Sequence, residues 1–175
     1  MEEQTMVQEE RWQPTLASLF DCWQLFFTHL DLDELSHQIL EVVAQATRAS
    51  RASLMLLNED EGVLVIKAAV GLPPEVVATS RVRPGEGIAG WVAQNRRSLL
   101  LPDGSDIPSS VREALKREDI TSALCVPLEV EKRVLGVLNL ARQGGDAPFT
   151  QQDVCFASVV AERVAVALQN ARLYS

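Results

Sequence analysis

Apolar residues recur along this chain with two periods, one helical and one extended. Leu16, Leu19, Phe20, Trp23, Phe26, Phe27 and Leu30 are spaced at offsets of 3, 4, 7, 10, 11 and 14 from the first. That spacing draws one continuous stripe on a helix begun at Pro14. Five of the chain's nine aromatic residues (Trp12, Phe20, Trp23, Phe26, Phe27) lie in or just before it. A stripe this apolar needs cover, so residues 12–32 are expected to form an interface helix behind a polar arm, 1–11. A second helix is expected over 33–49, capped by Asp31 or Asp33. Its inner face would carry Leu35, Ile39, Val42, Val43 and Ala46.

The period then shortens. Residues 51–57 and 63–70 read as strands joined by a turn at 58–62. Short helices are expected from Pro74 and over 88–95, a brief strand over 99–101, and a helix from Pro108 to about Arg117. A second hairpin is expected over 121–130 and 133–140, turning at Glu131-Lys132. Pro127 within a strand predicts a free edge or a bulge, and a polar loop is expected over 142–148. In the final helix Thr150 is the cap and Asp153 its reciprocal partner, with Phe149 and Val154 as a hydrophobic staple. Val154, Phe156, Val159, Val160, Val164, Val166 and Leu168 wrap most of its circumference, so cover is expected on more than one side. Two hairpins with helices between and around them predict an α+β domain built on an antiparallel sheet.

Charge narrows the functional classes. The formal net charge is -8, and residues 1–34 hold eight acids and one base. The other sixteen acids meet fifteen bases, so the globular part is nearly neutral and lacks the basic face of a nucleic-acid binder. The three cysteines, Cys22, Cys125 and Cys155, are sparse and odd in number, which argues against a disulfide framework. Acidic residues occupy the N-terminus where a secretory signal would carry bases, and no run of about 18 unbroken apolar residues marks a membrane span. The expectation is a cytoplasmic chain with no nucleic-acid or membrane partner.

Four segments, in order, resemble the GAF domain family. Residues 52–58 with 63–74 resemble its first hairpin, and Arg83-Pro84-Gly85-Glu86-Gly87-Ile88-Ala89-Gly90-Trp91-Val92 its glycine-containing approach to a short helix. Residues 122–128 followed by Val134-Leu135-Gly136-Val137-Leu138-Asn139-Leu140 resemble its final strand pair. Phe149-Thr150-Gln151-Gln152-Asp153 resembles the start of its last helix. The resemblance covers about residues 33–174, giving a GAF domain over 33–175. It implies a PAS-related central antiparallel sheet, terminal helices packed on one face, and short helices over a ligand cleft on the other. It also implies a sensory or regulatory role in signal transduction.

The same resemblance puts Met55, Trp91, Leu101, Asp103, Ile107, Val111 and Cys125 in the elements that line the family's cleft. Ordinary core packing is the alternative reading of each. Particular cofactors find little support. Cys125 is followed by Val126, not by the histidine common at tetrapyrrole attachment sites, and His29 and His37 lie in the N-terminal helices, away from a haem site. No Cys, His and carboxylate cluster has metal-site spacing. Asn95-Arg96-Arg97 and the downstream Leu99-Leu100-Leu101-Pro102-Asp103 lack the pattern of cyclic-nucleotide binders, so the ligand stays unidentified. Two histidines remote from the cleft and one thiol near it give no nucleophile–base–orienter set, and the chain is read as not an enzyme. A free methionine sulfoxide reductase and a ligand-free structural dimerisation module are the alternatives. The stripe over 16–30, with Val160, Val164, Ala167 and Leu168 of the last helix, is expected to pair two copies as a helical bundle. The last helix has no glycine stop, which suggests that it continues into an output domain.

Overall fold

Leu35, Ile39, Leu40 and Val43 share one side of helix α1 (Leu32–Thr47) and are almost wholly removed from water. They pack on a six-stranded antiparallel sheet in the order β3-β2-β1-β6-β5-β4. The strands are β1 (Arg51–Asn58), β2 (Val63–Val70), β3 (Arg81–Val82), β4 (Leu99–Leu101), β5 (Ile120–Val130) and β6 (Arg133–Gln143). Helices α2 (Pro74–Thr79), α3 (Gly87–Asn95), α4 (Ser109–Arg117) and α5 (Gln151–Tyr174) complete the described elements. This computed structural model describes residues 32–101, 108–117, 119–145 and 147–174. The expected acidic arm, the stripe from Leu16 to Leu30, and the cleft candidates Asp103 and Ile107 lie outside the described residues.

The sheet separates two cores. On one face α1 and α5 cover Ala52, Leu54 and Leu56 of β1, Leu124, Val126 and Leu128 of β5, and Leu138 and Leu140 of β6. On the other, α3 and α4 pack over Met55, Leu64, Leu101, Ala123, Cys125 and Val137. Period-2 alternation along each strand produces this division, and bulges adjust it. Leu54 pairs with Ala68 and Met55 with Ile66, so Lys67 is the extra residue. Leu64 and Ile66 therefore serve the second core while Ala68 and Val70 serve the first. Lys67 reaches Asp33 of α1 at 3.0 Å.

The strand edges meet the expectation at Pro127, because β4 pairs only with residues 123–125 and leaves β5 a free side at the proline. The expected polar loop after Leu140 is shorter than anticipated, since β6 continues to Gln143. The two-residue strand β3, paired to Leu64 and Val65, has too short a pattern to be read in sequence. Gly136 sits where an added Cβ would lie 2.0 Å from the Met55 carbonyl oxygen, so β1 and β6 can pair there only with no side chain.

Helix α5 starts as its sequence predicts. The Thr150 amide donates to Asp153 Oδ2 at 2.8 Å, and the Asp153 amide donates to Thr150 Oγ1 at 3.4 Å. By length and composition, residues Gln151–Arg172 are apolar enough to cross a membrane. In this fold, however, Val160, Val164 and Leu168 are packed into the first core, and Val159 and Val166 stay exposed.

Candidate functional site

A cleft of about 430 Å³ opens between the second face of the sheet and the two helices above it. Its floor comes from two neighbouring rows of the sheet. In one row Arg51 pairs with Ala141 and Ala141 with Ala123; in the next, Ser53 pairs with Asn139. All five residues line the space. Directly opposed side chains in an antiparallel sheet stand about 5 Å apart, and Ala141, Ala123 and Ser53 are short. Hollow volume remains where longer residues would have filled it.

The roof is set by the turn before α3. Glu86 folds back, its carboxylate accepting from the Arg83 amide at 3.2 Å, while the Gly85 amide donates to the Gly90 carbonyl at 2.7 Å. A Cβ at Gly90 would meet the Arg83 carbonyl oxygen at 2.3 Å, so only glycine lets α3 close on its own lead-in turn. This closure holds Glu86, Gly87, Ile88 and Ala89 over the floor. Val111 and Leu115 of α4, with Ile120, Leu72 and Val82, complete the walls.

The lining is apolar apart from Arg51, Glu86 and the central pair, where Asn139 Nδ2 donates to Ser53 Oγ at 3.2 Å. Arg51 and Glu86 carry opposite charges. Among the described residues, no group of three or more His, Cys, Asp and Glu is placed to hold a metal ion. Cys125 is fully buried, and burial pushes its thiol well above the usual cysteine range, so it stays protonated and poorly nucleophilic.

Of the residues singled out in sequence, Val111 lines the cleft. Met55, Leu101 and Cys125 belong to the packed core beside it, with Trp91 half-buried against that core. Alternation identifies the correct face of the sheet but not the row left uncovered. Cys125 pairs with cleft-lining Asn139 on one side and with Leu99 of β4 on the other. Ser53, Asn139, Ala123, Ala141 and Glu86 are cleft residues that sequence reasoning misses. A signal for two of them exists: Ser53 and Asn139 are polar residues at cleft-face positions of otherwise apolar strands, where asparagine is disfavoured.

Among the interface candidates of α5, Val160, Val164 and Leu168 are buried against their own sheet, and Ala167 is half-buried. The outward side of the helix carries Cys155, Val159, Glu162, Arg163 and Val166.

The GAF domain family model matches residues 31–168. The Nif-specific regulatory protein of Azospirillum brasilense is 28% identical over 165 residues, covering 91% of this chain and 26% of that protein. The chain spans between a quarter and a third of the length of the Nif-specific regulatory proteins it matches. The GAF domain of a phosphoenolpyruvate-protein phosphotransferase from Coxiella burnetii superposes with a TM-score of 0.80 at 23% identity, covering 93% of this chain and 96% of that one. The free methionine-R-sulfoxide reductase of Neisseria meningitidis, solved with its substrate, superposes with a TM-score of 0.76 at 16% identity, covering 92% of each chain. Likeness at these identities is a likeness of fold. With the sheet order, the two helical layers and a family match across most of its length, this chain belongs to the GAF domain family.

Proposed function

We propose that this GAF domain is the signal-receiving module of an intracellular regulator, that it binds a small molecule in the cleft, and that it works as a homodimer. The observation that carries the ligand reading is the open space above Ala123, Ala141 and Ser53, kept by small floor residues under a glycine-fixed roof. Its volume lies within the roughly 300–1,000 Å³ of small-molecule sites. The similarity to Nif-specific regulatory proteins supports a regulatory role in controlling an output domain. The buried, protonated Cys125 thiol speaks against the thiol-reductase alternative.

The dimer reading rests on surface to be covered. Val159 and Val166 stand seven residues apart on the outer side of α5, 39% and 47% exposed. Residues 16–30 supply a matching apolar stripe in sequence. A second copy would cover both.

Ala123→Leu tests the ligand reading. The added isobutyl group projects from the floor into the cleft, so the enhanced fluorescence of 1-aminoanthracene with the native protein is expected to fall at least tenfold, with the thermal midpoint little changed. Equal enhancement in the variant would remove the cleft as the binding site.

A further inference from the structure

Resting on the reading of the cleft as a ligand site, we propose that its ligand is uncharged: a compact, mainly apolar molecule with one carboxamide or lactam group, read by Ser53 and Asn139. Ser53 is 6% exposed and lines the floor of the cleft. Its oxygen accepts from Asn139 Nδ2. Among the described residues, the two side chains then retain the Ser53 hydroxyl proton, the second Nδ2 hydrogen and the Asn139 Oδ1 lone pairs. Donors and an acceptor thus stand side by side in an apolar setting. A carboxamide returns the same complement, an acceptor beside a donor. A carboxylate has only acceptors and would set its oxygens against Oδ1, and an ammonium group has only donors.

The charges at the cleft point the same way. Arg51 already has an interaction partner, and Glu86 lines the same space with the opposite sign. The lining thus carries no excess charge of one sign to compensate a buried ion, whose desolvation is costly without a partner. Ile88, Val111, Leu115 and Ile120 supply the apolar enclosure for the rest of the molecule.

A matched pair of probes separates the possibilities on the full chain. 1-Naphthamide and 1-naphthoate share size and ring and differ in the group that meets the pair. By titration calorimetry at neutral pH, the amide is expected to bind at least tenfold tighter than the carboxylate. Asn139→Leu is expected to bring that ratio below about threefold. Ser53→Ala, a smaller change that guards against misfolding, is expected to weaken the amide about fivefold, in line with one lost hydrogen bond. Circular dichroism checks that both variants fold. Equal or tighter binding of the naphthoate would overturn the ligand class while leaving the cleft as a site. Retention of the preference in both variants would overturn the role of the pair. Absence of binding by either probe, with 1-aminoanthracene fluorescence also unresponsive to Ala123→Leu, would remove the ligand site and this inference together.

Discussion

Cys125 and Cys155 show how far one residue's chemistry depends on its position. Cys125 points into the second core, and its thiol is held protonated by burial. Cys155 lies one turn into α5 on the exposed side. Reactivity tracks thiolate character and access. Brief iodoacetamide treatment of the native protein, with peptide mass mapping, is therefore expected to modify Cys155 at least a hundredfold faster than Cys125. Comparable rates would show that the Cys125 side of the sheet opens readily, and would reopen the reductase reading. In sequence, Cys125 is the obvious candidate because it is the thiol nearest the expected cleft. Its neighbour across the ladder, Asn139, is the better one, because a part-buried amide in a central strand calls for a polar partner whereas a buried thiol packs as a small hydrophobe.

Between elements, Arg142 ties several pieces together. Its guanidinium donates to the Thr47 carbonyl at the end of α1 and to the Ala147 carbonyl at 2.8 Å. It lies 4.2 Å from the centroid of the Phe149 ring and 3.9 Å from Asp153 Oδ2. Among the described residues its buried Nε has no hydrogen-bond partner, and the group is held by its other contacts. Beside it the Ser122 hydroxyl donates to the Leu101 carbonyl at 2.9 Å and accepts from the Phe149 amide at 3.0 Å. Removing the Arg142 side chain strips both carbonyls of their donor, so Arg142→Ala is expected to lower stability in urea by about 2–3 kcal/mol. Arg142→Lys should recover little, because an ammonium cannot stack on the ring while bridging two carbonyls. Full recovery by lysine would show that charge alone matters. None of this network is legible in sequence, where residues 142–148 read as a polar loop. Apart from β3 and the end of β6, the elements are legible, because strong periods and the Thr150–Asp153 cap are local signals. Arg142 makes its bonds to residues that only tertiary folding brings near.

For the whole molecule, the outer side of α5, with Val159 and Val166 exposed, is the surface that the proposed dimer would cover. The inner side is filled by its own sheet, as Val160, Val164 and Leu168 show. That division cannot be read from a helix apolar nearly all round, since composition does not tell which neighbour takes which side. Light scattering is expected to return twice the 19.3 kDa of one chain, and removal of residues 1–32 to return a single mass. An unchanged mass after removal would end the bundle account. The antiparallel sheet, by contrast, is legible from two hairpins and a family pattern, whereas the cleft depends on where short side chains fall across neighbouring strands.

The strands that floor the cleft also anchor the start of α5. Along residues 120–123 and 139–142, Ile120, Ala123, Asn139 and Ala141 look into the hollow, while Ser122 and Arg142 hold Phe149 and the surroundings of Thr150 on the reverse. A single thickness of pleated backbone separates the cleft floor from the root of α5. If a ligand bound in the proposed site bowed that strand pair, the bow would tip the root of a 24-residue rod. Over its roughly 36 Å length, a tilt of a few degrees becomes a displacement of about 2 Å at the far tip.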